Sequence, residues 1–228
     1  MPGKKWVISL GGSVIIPSSD QIDLSFIREF RKLIEARVRK GEQFVICCGG
    51  GNTCRKYNRA ALELAKPSAS ELDWLGIRAT WLNAHLMKIV FGSNAPQEII
   101  TNPEEIQLNT PIAVAAGWKP GRSTDFMAVR LAIQIKAGSI INITNTPYVY
   151  DKDPKRHRDA KPIRAMTWNE FIGIVGEKWE PGMNMPFDPV ASRLARQHGL
   201  RVIIASSNIR NLKGILEGKE FKGTRISD

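Results

Sequence analysis

Five short apolar runs, each ending at a glycine cluster or a turn, constrain this chain more than any other feature. KWVISL (5–10), EQFVICC (42–48), TPIAVAAG (110–117), SIINIT (139–144) and LRVIIAS (200–206) are rich in aliphatic and β-branched residues. They are continuous rather than alternating in hydrophobicity, as strands are when both faces of a sheet are covered. TRIS (224–227) reads as a last short strand. Helical patterns fill the intervals. Asp23 is placed to cap a helix carrying Ile27, Phe30, Ile34 and Val38 on one face. A second helix starts near Asn52 and runs to about Ala65. Ser68 with Glu71 makes a capping-box pattern before a helix reaching about Phe91, and Thr167 with Glu170 repeats it. Asn102–Pro103 opens a short helix, and 124–137 is another. Asp188 followed by Pro189 fits an N-cap and first-turn pair. This βαβα order implies a mainly parallel sheet between helix layers, an αβα sandwich.

Composition narrows the class. The 228 residues are 43% hydrophobic and 24% charged, as in an ordinary soluble enzyme. No run of ~18 apolar residues is present, so no membrane span is expected. Trp6–Leu10 is too short for the core of a signal peptide, so the expectation is a cytoplasmic protein. A net charge of +11 favours anionic partners. The densest basic run, 152–161, is interrupted by Asp153 and Asp159. It reads as a solvated loop rather than a nucleic-acid surface. The three cysteines have no CxxC spacing, and His85, His157 and His198 are far apart, so no protein-held metal is expected. Cys47 and Cys48 end an apolar run and read as core residues.

The turn clusters lie at the carboxyl ends of the expected strands, the edge where open α/β sheets bind ligands. Gly11-Gly12-Ser13 follows the first strand, and Gly49-Gly50-Gly51 the second. GWKPGRSTD (117–125) follows the third, and a turn leading to KDP (152–154) follows Thr144. Any one glycine pair is compatible with a tight turn. Several on one edge favour bare backbone N–H groups that cradle phosphate. Two familiar phosphate motifs are excluded. GxGxxG would need glycine where Cys54 stands, and GWKPGRS is one residue short of a Walker A loop, with Arg122 in the lysine place.

The segments GGSVIIP, VICCGGGNTCRKY, LDWLGIRATWLNA, PGRSTDFMAVRLA, ITN…VYDKDP…DAKPI and DPVASRLARQHGLRVII occur in this order along nearly the whole chain. Together they resemble the amino acid kinase superfamily, with the uridylate (UMP) kinases of the archaeal type as the nearest likeness. The resemblance implies the amino acid kinase fold: a three-layer αβα sandwich in a single domain (1–228). Its N-terminal part would bind UMP and its C-terminal part ATP. It implies transfer of the ATP γ-phosphate to UMP, with Mg2+ arriving on ATP. It also implies a homo-oligomer, usually a hexamer.

The resemblance further implies residue roles. Gly12 and Ser13 face the transferred phosphate, and Gly11 belongs with them to the ATP site. Gly50 contacts UMP, while Gly51 and Arg55 contact the ATP phosphates. Asp73 holds the UMP ribose or base. Trp118, Gly121, Arg122, Ser123 and Thr124 belong to the UMP loop. Thr144, Tyr150 and Asp153 surround the ATP nucleoside.

The chemistry of the residues agrees with these roles. Phosphoryl transfer asks a protein mainly for positioning and charge neutralisation. Arg55 stands one turn beyond the glycines and can grip phosphate, the alternative being a solvated surface arginine. Asp125 either orients a basic group or magnesium, or caps the following helix. Asp73 is otherwise an exposed helical carboxylate. Two positions depart from the family pattern. Ser9 stands where bacterial UMP kinases carry lysine, leaving Arg122 or Lys152 as candidate transition-state cations. Pro147-Tyr148 stands where an Asp-Gly pair is usual, so that loop must take another shape. Competing readings are a kinase of this fold acting on isopentenyl phosphate, carbamate or acetylglutamate, a non-catalytic nucleotide-binding regulator, and a nucleic-acid binder.

Overall fold

The computed structural model describes the chain except residues 1–2, 19–20, 97, 155 and 177–184. Strands β1 (Lys5–Leu10), β2 (Gln43–Cys48), β3 (Ile112–Ala115) and β4 (Ser139–Thr144) pair in parallel. Strand β8 (Arg201–Ser206) joins them in parallel beside β4. The sheet order is β3-β2-β1-β4-β8-β9-β7. Strand β9 (Thr224–Ile226) runs antiparallel to β8 and carries β7 (Ala165–Met166) at the edge. A separate hairpin pairs β5 (Val149–Tyr150) with β6 (Pro162–Ile163).

Alternate strand residues enter two cores. Trp6, Ile8 and Leu10 of β1 and Phe44, Ile46 and Cys48 of β2 face one layer of helices. That layer is α2 (Leu24–Val38), α4 (Ala69–Phe91) and α8 (Ile209–Leu216), which contribute Phe30, Ile34, Met87, Phe91 and Leu212. Val7, Val45, Ile140 and Val202 face the other layer. Its helices are α5 (Thr124–Gln134), α6 (Trp168–Val175) and α7 (Pro189–Gln197), with Met127, Leu131, Phe171 and Ala191 inside. Each large apolar side chain so buried contributes about 1.5–3 kcal/mol. Cys47 and Cys48 are buried free thiols in the two cores, as the apolar run implies. Burial holds the Cys47 thiol well above its ordinary pKa and pushes Cys48 up to about 12.

The caps explain where helices begin. Asp23 accepts from the amide of Phe26 at 2.9 Å, and complete capping boxes close the starts of α4 and α6. Asp188 caps α7 with Pro189 in its first turn. The 102–105 segment is a single 3-10 turn, and 124–137 stops as helix at Gln134 because Lys136 turns to φ 56°. Helix α8, the four-residue α1 (Gly12–Ile15) and the two-residue strands β5, β6 and β7 add to the expected elements. No helix among the described residues is long and apolar enough to cross a membrane.

Candidate active site

The carboxyl ends of the central strands are stitched side by side. Gly49 donates to Leu10 O and Gly11 donates to Ile143 O, each at 2.9 Å. The glycine loops then interlock. A Cβ on Gly49 would lie 2.6 Å from Gly12 N, and one on Gly11 would lie 2.7 Å from Ile143 O. Gly51 adopts φ 63°, and a side chain there would strike the Gly12 backbone. The loops therefore demand glycine for their own contact. Close approach of a ligand to the backbone comes in addition to this.

From this junction α1 and α3 (Gly51–Leu64) start, neither with a side-chain cap. The first-turn N–H groups of α3 and the positive end of its dipole are thus left for an anion. Arg55 lies one turn along α3. Its Nη2 donates to Ser13 Oγ at 2.8 Å and to Asn52 Oδ1 at 2.9 Å. Asn52 in turn donates to Ile16 O at 2.8 Å. Gly11, Gly12, Ser13, Gly50, Gly51 and Arg55 are brought together.

The loop after β3 folds against α4. Asp73 Oδ2 accepts from Gly121 N at 2.7 Å, and Trp81 Nε1 donates to Gly117 O at 2.9 Å. Lys119 lies 3.9 Å from the centroid of Trp118, and Arg122 lies 4.7 Å from that of Phe126. Ser123 is the N-cap of α5, accepting from Phe126 N at 3.1 Å, and Thr124 is the first residue of the helix. Capping thus belongs to Ser123, which removes the capping reading of Asp125.

Asp125 points beneath the glycine loops instead. Ser9 Oγ donates to its Oδ1 at 2.8 Å, and the Asp188 amide donates to its Oδ2 at 3.2 Å. Ser9 sits in register with Cys47 and Asn142, so a polar row crosses three strands under the site. Cys47 Sγ contacts Thr124 O, and Asn142 donates to Pro186 O at 2.8 Å. Burial pushes Asp125 up to about 7, against the lowering effect of the Ser9 bond and with a further rise from the Asp188 charge. Through these two bonds Asp125 ties Ser9 of β1 to Asp188 at the start of α7.

Thr144 follows Ile143 at the end of β4, where its Oγ1 donates to Thr146 O at 2.9 Å and accepts from Thr146 N at 3.0 Å. This turn delivers Pro147 and Tyr148. The Tyr148 ring meets Tyr150 edge-on at 6.3 Å. Tyr150 stands on the separate hairpin, and Asp153 starts the turn beyond it, accepting from Arg156 N and His157 N. Lys152 pairs with Asp159 at 2.6 Å.

Sequence reasoning missed Asn52, Thr80, Trp81 and Asn83, whose bonds hold the loops. A buried amide at Asn83 on the apolar face shared by Ala84 and Met87 was the available signal.

An amino acid kinase family model matches residues 4–206, and the chain belongs to that family. Within it, the chain is 35% identical to the uridylate kinase of Thermoplasma volcanium over 226 residues, covering 97% of each protein. It is 35% identical to the uridylate kinase of Methanococcus aeolicus, covering 98% of this chain and 99% of that one. The crystal structure of uridylate kinase from Archaeoglobus fulgidus superposes with a TM-score of 0.83 at 32% identity, over 98% of this chain and 100% of that one.

Proposed function

We propose that this chain is a uridylate kinase, transferring the γ-phosphoryl group of ATP to UMP to give UDP and ADP. The observation that carries the reading is the interlocked pair of glycine loops with Arg55 bridging them at the carboxyl edge of the sheet. Full-length similarity to uridylate kinases supplies the acceptor. In this reading the N–H groups of Gly12, Ser13, Gly50 and Gly51 hold the phosphates in line, and Arg55 neutralises charge as the bond to ADP loosens. Asp73 and the loop from Trp118 to Thr124 hold UMP. Thr144, Tyr150 and Asp153 hold the ATP nucleoside. Asp125 acts from below, fixing the end of β1.

The whole chain acts as one domain, the N-terminal part binding UMP and the C-terminal part ATP. Among the described residues no three His, Cys, Asp or Glu side chains converge on a metal position. In this reading Mg2+ arrives bound to ATP. Helix α3 buries none of its side chains, and Leu62 and Leu64 with Leu82 and Ile89 of α4 stay exposed. This surface supports a homo-oligomer, a hexamer by resemblance. A coupled assay of ADP release with UMP and Mg-ATP tests the reading, and light scattering tests the assembly.

A further inference from the structure

Four side chains of α4 reach two loops that are far apart in sequence. Asn83, 2% exposed, donates through Nδ2 to Gly49 O at 2.7 Å and to Gly50 O at 3.3 Å. Thr80 Oγ1 accepts from Gly117 N at 2.7 Å while donating to Ile77 O at 2.6 Å. Trp81 holds the other side of the same residue through Gly117 O, and Asp73 holds Gly121. One rigid helix thus sets the position of the loop after β2 against the loop after β3.

The Asn83 bonds have a specific consequence. Two carbonyl acceptors require the NH2 end of the amide to face them. A peptide unit is planar and trans, so a carbonyl and the N–H of the next residue point in opposite directions on one rigid plate. Holding Gly49 O fixes the direction of the Gly50 N–H, and holding Gly50 O fixes that of the Gly51 N–H. These are the N–H groups that open α3, which has no side-chain cap. Asparagine is a poor interior helix residue, and a buried amide is costly unless bonded. Gly50 and Gly76 permit the close approach that this needs. A Cβ on Gly50 would lie 3.3 Å from Gly76 O of α4, and one on Gly76 would lie 3.1 Å from Cys54 Sγ of α3.

We propose that Asn83 is a positioning residue for phosphoryl transfer, clamping the Gly49–Gly50 and Gly50–Gly51 peptide planes, while Thr80 positions the acceptor loop through Gly117. The proposal rests on the site reading above. Asn83 aligns donors on the reacting phosphates, so its loss acts on kcat. Thr80 aligns the loop that holds the acceptor, so its loss acts on the KM for UMP.

The test is steady-state kinetics of the full chain with UMP and Mg-ATP for Asn83→Ala and the isosteric Thr80→Val, with melting curves alongside. Asn83→Ala is expected to lower kcat roughly ten- to hundredfold while the KM for UMP stays within about twofold, since small misplacements of aligned groups cost that much. Thr80→Val is expected to raise the KM for UMP by roughly five- to tenfold with kcat nearly unchanged, because of its two lost bonds only the one from Gly117 N reaches the acceptor loop. Unchanged kcat in Asn83→Ala, or the same parameter moving equally in both variants as general loosening of α4 would produce, overturns the proposal. If Asn83→Ala melts below the assay temperature, Thr80→Val decides: a selective rise in KM supports the proposal, and an unchanged KM overturns it. A wild-type chain without UMP turnover refutes the functional reading itself. Wild-type turnover without the split refutes only this inference.

Discussion

Arg55 donates to Ser13 Oγ across 2.8 Å, joining loops that are 42 residues apart in sequence. An exposed arginine held at such a junction has its fork positioned before any phosphate arrives. Arg55→Ala is expected to fold normally and to lose activity roughly ten- to hundredfold, the value of one charged hydrogen bond in a rate. Steady-state kinetics with a melting curve checks this. Unchanged kinetics would show that Arg55 serves only the Ser13 and Asn52 contacts.

Asp73 has two duties to separate. Its carboxylate already accepts from Gly121 N at 2.7 Å, closing the loop, and it faces the acceptor in the proposed complex. Asp73→Asn keeps an acceptor for Gly121 but loses the charge. It is expected to raise the KM for UMP several-fold more than that for ATP, as befits the loss of a charged hydrogen bond on one substrate. Asp73→Ala, which also releases the loop, is expected to raise it further. Equal effects on both Michaelis constants would contradict the assignment.

Asp125 gives a pH signature. Its folded pKa of about 7 stands above the ordinary 3.8, mainly because burial disfavours the charge. Below the ordinary value the carboxyl is protonated whether the chain is folded or not. Between the two values the folded chain keeps a proton that the unfolded chain releases, so this group's contribution to stability declines as pH rises through the window. Asp125→Asn abolishes the titration, and Ser9 can reverse its hydroxyl to suit an amide. Thermal midpoints at about pH 5 and about pH 8 should show the variant gaining on the parent at the higher pH. A difference between the two proteins that does not change with pH would contradict the enclosed carboxyl.

Much of the fold was legible because parallel strands covered on both faces read as continuous apolar runs, and because Asp23, Ser68, Thr167 and Asp188 announce helices by local caps. Strands β5, β6 and β7 were not legible, since two residues carry no period. Helix α8 has a cap in Asn208 but only eight residues. In the site, the glycines and Arg55 stood out because their chemistry is unusual at strand ends. The partners of Asp125 did not, because its bond to Ser9 spans 116 residues of sequence. Nor did Asn83, whose two carbonyl acceptors exist only once α4 has packed against the loop after β2.

The proposed function turns on the identity of the acceptor. The direct measurement is a coupled assay of ADP release with Mg-ATP and, in parallel, UMP, CMP, carbamate and isopentenyl phosphate. Turnover with UMP is expected at about 1–100 per second, as for kinases generally, with carbamate and isopentenyl phosphate inert. Turnover on one of those two without turnover on UMP, or no turnover on any acceptor at millimolar Mg-ATP, would contradict the proposed function.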